Sequence, residues 1–435
     1  MHRRTFSVSA LATLAAPYIR AQSGSKVYRT ALIGSGWWGM NLLREGLDSK
    51  RIKCIALADP DQRARESAAD DIDGLTGAKP AVYNDYREML EKEKPELVII
   101  ATPDHWHALT SIAAMKAGAH VLVEKPTAHT VGESKAMVRV ARETGRIVQV
   151  GLHRRLGPHH VAAHKFLKDG NVGEIGMVRC FVHGGNTNKP ETPGKNVEPP
   201  KGLDWDLWLG PAPSRPFTSR LHPGAWRNWL DFGNGQLGDW GVHWLDQVLM
   251  WSEQKYPKSV YSSGGRVIAG PVILNDKEQT SDAPDSQVAV YAFDGFNVTW
   301  ENRKFADNNA EKHKIGAYFY GTKGTLHIGW RDGWTFYPAN SKDQIVHEDS
   351  QLQEPDGHNL TLLWSDFITA LDNNKQPTCD IESAHRSSVL PMLGMISYKL
   401  GRSISWDSAS ETIPNDADAS KLLTRAYRGP WEYPV

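Results

Sequence analysis

Val27-Tyr28-Arg29-Thr30-Ala31-Leu32-Ile33 runs directly into Gly34-Ser35-Gly36-Trp37-Trp38-Gly39, and residues 40–47 continue with helical spacing. A short apolar run, a G-x-G-x-x-G loop and a helix make the opening of a dinucleotide-binding βαβ unit. Gly34 permits the tight turn. Gly36 lets the backbone approach a pyrophosphate, and Gly39 lets helix and strand pack closely. The N-terminus of that helix turns its N–H groups and positive dipole end toward the phosphates. Ser35, Trp37 and Trp38 fill the variable loop positions and join the cofactor-contact candidates. A second strand, Ile52–Ala58, ends at Asp59. A carboxylate there accepts hydrogen bonds from a ribose 2′-hydroxyl and repels a 2′-phosphate, which favours NAD. Arg63, four residues on, keeps NADP open.

Downstream, a helix at 86–92 precedes a strand at 97–101. Thr102-Pro103-Asp104-His105-Trp106-His107 follows, then a helix at 108–117. A strand at 121–123 ends in Glu124-Lys125-Pro126, and a helix over Val131–Thr144 leads to a strand at 147–150. Alternation of this kind gives right-handed crossovers and a buried parallel sheet. Ligands of such sheets sit beyond the carboxyl ends of the strands. Thr102, Pro103, His107, Glu124 and Lys125 are therefore expected to line one crevice with the glycine loop. The fold class expected is an α/β Rossmann domain over 26–150. An α+β domain follows over 151–435, with a large, mostly antiparallel open-faced sheet.

The chain of 435 residues is 40% hydrophobic and 23% charged, the usage of a globular protein with a sizeable core. Fifty Lys and Arg balance 50 Asp and Glu, so no chain-wide basic field exists to hold nucleic acid. Cys54, Cys180 and Cys379 are too few and too scattered for a disulfide framework or a zinc cluster. Residues 1–22, MHRRTFSVSALATLAAPYIRAQ, pair Arg3-Arg4 with a weakly apolar stretch too short to span a bilayer. They read as a twin-arginine export signal with cleavage after Ala21, giving an exported, periplasmic protein without a membrane anchor.

In the second half, Ile175–His183 alternates as a strand. Asp294-Gly295 joins two alternating runs into a hairpin, and a meander continues through residues 315–337. Helices are expected at 161–168, 240–251, 360–371 and 384–400. Gly238-Asp239-Trp240-Gly241-Val242-His243 places Asp239 and His243 four apart on one side of a helix. An imidazole can remove a hydroxyl proton near neutral pH, and a carboxylate beside it can orient it and raise its basicity. His160 and His164, also four apart, have the spacing of zinc ligands but no third ligand nearby, so no metal is expected.

Gly34-x-Gly36-x-x-Gly39, Glu124-Lys125-Pro126 and Asp239-x-Gly241-x-His243 together resemble the Gfo/Idh/MocA oxidoreductase family, in an exported bacterial branch. The resemblance implies hydride transfer between a secondary hydroxyl of a sugar or glycoside and a nicotinamide. It makes Lys125 the residue that bonds the reacting hydroxyl, His243 the acid/base, and Asp239 the group positioning substrate and His243. Arg154, Arg155, His183 and Trp226 join Lys125, Asp239 and His243 as expected substrate contacts, with His105 a lesser one. It also implies a homo-oligomer, dimer or tetramer, built on the open sheet, and a C-terminal segment free to pack back on the first domain. Export away from the NAD pool points to a tightly held cofactor. Two other readings stand beside this one. His183-Gly184-Gly185 is similar to a stretch in NAD-dependent glycoside hydrolases that oxidise, eliminate, hydrate and re-reduce. The other is a sugar-binding Rossmann protein without turnover.

Overall fold

The computed structural model describes residues 26–435. The expected export segment, with Arg3, Arg4 and Ala21, lies outside the described residues. Six parallel strands form the first sheet: β1 (Tyr28–Ile33), β2 (Ile52–Ala58), β3 (Ala81–Tyr83), β4 (Leu97–Ile100), β5 (His120–Val123) and β6 (Val148–Val150). Their order is β3-β2-β1-β4-β5-β6, with the chain reversing its direction of travel between β1 and β4. All four residues of β4 are completely buried, as a strand covered by helices on both faces requires. The covering helices are α1 (Trp37–Asp48), α2 (Gln62–Thr76), α3 (Tyr86–Glu93), α4 (Asp104–Lys116) and α5 (Val131–Thr144).

Two of these helices depart from the sequence reading. The α2 helix went unread because only Ala68, Ala69 and Ile72 of its fifteen residues are buried, too thin a stripe to show periodicity. The α4 helix begins at Asp104, four residues before the expected start, so the Asp104–His107 stretch is its first turn rather than a loop. Pro103 precedes it and cannot donate to a preceding turn.

The second half carries α6 (Pro158–Lys168), β7 (Ile175–His183), a short pair β8 (Gly194–Lys195) and β10 (Glu278–Gln279), α7 (Trp205–Leu209), α8 (Val242–Ser252) and β9 (Ser259–Gly265). The strands β11 (Ser286–Ala292), β12 (Asn297–Arg303), β13 (Ile315–Gly321), β14 (Gly324–Gly329), β15 (Trp334–Pro338) and β16 (Val346–Glu348) follow. Helices α9 (Pro355–Asn373) and α10 (Ile381–Leu400), strand β17 (Ile404–Ser405) and helix α11 (Ala417–Lys421) complete the chain. Nine strands make one sheet, β16-β15-β14-β13-β7-β12-β11-β9-β17. It is antiparallel except where β7 and β12 run parallel. Trp244, Leu245, Leu393 and Ile396 from α8 and α10 pack with Val298, Trp300 and Phe319 of the sheet in one buried core.

The two halves are fastened at several points. Trp364 of α9 is buried in the core of the first sheet and donates to Leu42 O at 2.9 Å. The C-terminal segment returns to the first domain: Arg425 and Tyr427 donate to Glu133, and Trp431 stands edge-on to Trp106. Arg155 is another fastening, not the substrate contact expected of it. It is buried, donates to both oxygens of Asp246 in α8 and to Ser383 and Ser387 of α10, and does not line the site cavity. Breaking a buried pair leaves an uncompensated charge. We expect Arg155→Ala to lower unfolding stability by about 3–5 kcal/mol in denaturant titration. The loss should appear without bound substrate.

Candidate active site

A single cavity of about 850 Å³ runs from the glycine loop to the second sheet. Its first end is set by backbone geometry. Gly34 has φ +87°, and a Cβ there would lie 2.8 Å from Ala101 C. A Cβ on Gly39 would lie 2.1 Å from Gly34 O, so turn and helix touch directly. Gly36, by contrast, faces open space and begins α1 with no side chain capping the helix. Uncapped helix N–H groups above an open backbone fit a pyrophosphate. Gly34, Gly36, Trp37, Trp38, Asp59, Thr102, Pro103, His107, Glu124 and Lys125 all line this cavity.

Ser35 and Gly39 do not line it; they support the loop from behind. Ser35 donates its amide N–H to Asp59 Oδ2 at 2.8 Å, and Asp61 N donates to Oδ1 at 2.9 Å. Asp59 therefore ties the glycine loop to the end of β2 as well as facing the cavity. Arg63 is 68% exposed beside Asp61 and is not part of the lining, so it offers no seat for a 2′-phosphate. Across from Asp59, the segment 202–224 comes over from the second domain. Gln62 N donates to Gly202 O, Asp204 N to Pro60 O, and Asn84 to Asp204. Trp208, His222 and Pro223 of that segment close the cavity wall.

At the other end, Lys125 Nζ reaches Asp239 Oδ1 at 2.6 Å and Asp239 O at 2.8 Å. Arg227 Nε donates to the same Oδ1 at 3.1 Å. Burial alone would raise the Asp239 carboxyl; Lys125 and Arg227 outweigh it and hold the group below the ordinary carboxylate range. Asp239 sits in a π-helical turn, Leu237–Gly241, and His243 follows in α8. Among the described residues no hydrogen bond joins Asp239 to His243, so the expected carboxylate–imidazole pair is replaced by a carboxylate–ammonium–guanidinium group. His243 lies in the same cavity, and burial, with Lys125 and His153 nearby, holds its imidazole well below the usual histidine range. A base kept neutral by burial is ready to accept a proton.

Aromatic groups form the walls around His243. Trp330 stands 5.1 Å from it and His153 5.6 Å, both edge-on. Arg154 stacks under Trp330 at 3.4 Å and pairs with Asp356. It braces that wall and does not line the cavity, contrary to its expected substrate contact. His183 is farther removed, enclosed beside Glu301 and Glu311 at the end of β7 and outside the cavity lining, which corrects its expected role. Trp226 does line the cavity, with Arg227 over its ring at 4.3 Å. His105 is buried beneath Trp208 and Phe232, facing away from the cavity. His107 is held neutral by burial, at about 4, and donates to one of two carbonyls, Pro126 O at 2.7 Å or Thr102 O at 3.0 Å. It locks the two loops that carry Thr102 and Lys125. His160 and His164 both donate to Gln247 Oε1, each at 2.9 Å. That shared acceptor takes one nitrogen of each imidazole and ties α6 to α8.

Sequence reasoning passed over Arg227, His153, Trp240 and Trp330 as site residues. Their roles depend on folding: Trp330 follows the end of β14, far in sequence from everything it touches here.

The cavity thus joins a dinucleotide-binding loop at one end to a Lys125–Asp239 pair and a neutral histidine at the other. The family model for an oxidoreductase with an NAD-binding Rossmann fold matches residues 28–152, and its C-terminal alpha/beta domain matches residues 173–433. The chain belongs to the Gfo/Idh/MocA oxidoreductase family and binds NAD. A "Glycosyl hydrolase family 109 protein" of Shewanella baltica is 31% identical over 153 residues, 34% of this chain and 33% of that protein. A 4-carboxy-2-hydroxymuconate-6-semialdehyde dehydrogenase of Sphingobium is 35% identical over 182 residues, 41% of this chain and 54% of its own length. The match thus spans a third to a half of these curated relatives. A levoglucosan dehydrogenase solved with NADH and levoglucosan superposes with TM-score 0.68 at 19% identity, covering 87% of this chain and 99% of that one.

One carboxyl in the cavity carries a pH signature. Burial raises Asp104 to about 8, against the opposing effect of Lys125 and Arg227. The folded protein keeps a proton that the unfolded chain releases above 3.8, so this group withdraws stability as pH rises from about 4 to about 8. We expect the Tm advantage of Asp104→Asn over the parent to grow across that window in scanning calorimetry. A gap that is constant with pH would contradict the assignment.

Proposed function

We propose that this protein transfers hydride between a secondary ring hydroxyl of a carbohydrate and a nicotinamide that stays bound between turnovers. The observation that carries this reading is the meeting of Lys125, Asp239 and His243 in the cavity that begins at the glycine loop. The nicotinamide supplies the acceptor for the hydride leaving the carbinol carbon. His243, neutral and enclosed, takes the hydroxyl proton. Lys125 donates to the same oxygen and stabilises negative charge developing there, while Asp239 and Arg227 fix its position. Trp226, Trp240 and Trp330 offer flat apolar faces and His153 a polar edge, a lining suited to a sugar ring. The structural neighbour solved with levoglucosan supports a carbohydrate substrate.

The segment 202–224, pinned to the adenosine side by Gly202, Asp204 and His222, supports a retained cofactor. Retention suits the exported, periplasmic location proposed from residues 1–22. It requires that a second carbohydrate or another carbonyl acceptor re-oxidise the enzyme. The open sheet is the proposed homo-oligomer surface. A redox-assisted glycosidase is the second reading, supported by the family 109 relatives over the first domain. The distance of His183 from the cavity weighs against it.

Protein purified from its native compartment should carry about one nicotinamide per chain, seen by mass spectrometry after denaturation. In single-turnover mixing with a panel of sugars, the parent should develop 340 nm absorbance. Lys125→Ala should lose at least about 100-fold of that rate while keeping the cofactor. Undiminished reduction in Lys125→Ala would remove the proposal. Release of aglycone from aryl glycosides, with no free ketone, would favour the second reading. Because His243 is held well below the usual histidine range, the acid limb of hydroxyl oxidation should fall below pH 6.5. An acid limb and rate left unchanged in His243→Gln would show that His243 is not the base.

A further inference from the structure

Three side chains from successive parts of the meander converge outside the active-site cavity. His313 precedes β13, His327 lies in β14, and Asp332 sits in the turn between β14 and β15. One nitrogen of each imidazole and one Asp332 oxygen lie within 4.8 Å of one another. The two imidazoles stack at 3.6 Å, and His313 Nδ1 meets Asp332 Oδ2 at 2.9 Å. His327 is 1% exposed, and neither ring nitrogen makes a hydrogen bond of good geometry, although the Ile315 backbone lies close by. His313 Nε2 is enclosed and unpartnered as well. A buried donor or acceptor left unmade is costly, so three such nitrogens in one place demand an explanation.

The backbone has been cleared for these side chains. A Cβ on Gly316 would lie 2.5 Å from His327 Nε2, and a Cβ on Gly329 would lie 1.7 Å from Asp332 Oδ1. A cleft of about 390 Å³, lined by His313, Asp332, Thr335, His347 and Asp349, gives access from outside. Lys312, whose charge would oppose a cation, is turned to the Tyr337 hydroxyl at 2.6 Å.

We propose that His313, His327 and Asp332 bind a divalent cation of the zinc type. Two imidazoles and one carboxylate are a borderline nitrogen–oxygen donor set that suits Zn²⁺, with water in the fourth position. Ligand bonds of about 2.0–2.1 Å draw the donors from within 4.8 Å to roughly 3.3 Å apart, a side-chain adjustment. The ion takes one nitrogen of each imidazole and ties the segment before β13, strand β14 and the turn leading to β15 together. It also fixes the turn after β14, two residues from Trp330, whose ring walls His243. The site is structural for the sheet and holds Trp330 in place from a distance.

The test uses the full mature protein without an affinity tag, stripped with chelator and dialysed. Titration with Co²⁺ should saturate at one equivalent, with visible absorption bands of a low-symmetry four-coordinate site. Zn²⁺ should abolish those bands and raise the Tm of the stripped protein. His327→Asn and Asp332→Asn should each weaken Co²⁺ binding at least 100-fold. His313→Gln, at a more exposed position, should do the same and covers the case in which His327→Asn disturbs the sheet. The absence of saturable Co²⁺ binding in the stripped protein would overturn the proposal. Binding that survives all three replacements would overturn it equally.

Discussion

The contact on which this molecule depends is the one between Lys125 and Asp239. Lys125 hangs from the carboxyl end of a strand in the parallel sheet, and Asp239 from a π-helical turn at the base of the second sheet. The lysine donates to both the carboxylate and the carbonyl of Asp239, so position as well as charge is fixed. Arg227 adds a second cation to the same oxygen. Buried charges are tolerated only when partnered, and this trio partners them at the point where the halves must align for reaction. The helical turn widens by one residue where the carboxylate has to face the lysine, the sort of bulge that recurs at functional sites.

Around that trio, burial sets the chemistry. His243, His153 and His107 are all kept neutral, and Asp104 is kept protonated, because burial penalises the charged form of each. The permanent charges are concentrated on Lys125, Asp239 and Arg227. Such a site has a fixed electrostatic field and a neutral proton acceptor within it, the combination that hydroxyl oxidation needs. The buried Arg155–Asp246 pair and the half-buried Arg154–Asp356 pair lie just behind, holding α8 and the Trp330 wall.

Much of this was legible in the chain. The glycine loop, the strand ends at Thr102 and Glu124-Lys125, and the Asp239-x-x-x-His243 spacing pointed to the cavity that forms. The arginines were harder. Arg154 and Arg155 adjoin in sequence, yet one supports an indole and the other bolts two helices, and neither faces the cavity. Which way a side chain points after a domain junction depends on the helices packed there. His183 misled for a related reason: a histidine after a strand reads the same whether its partner is a substrate or a glutamate.

By itself the sequence determined the parallel sheet, the dinucleotide loop and the preference for NAD, because these rest on local periodicity, glycine sterics and one carboxylate at a strand end. It also placed the lysine and histidine at the ends of elements that face a crevice. Only the tertiary structure decided that Asp239 partners Lys125 instead of His243 and that segment 202–224 closes the cavity wall across from Asp59. It alone brought Trp330 and His153 to the walls and His313, His327 and Asp332 to one point. Those outcomes join residues tens to hundreds of positions apart, and their geometry is fixed by how the two sheets and their helices pack, which no local pattern encodes.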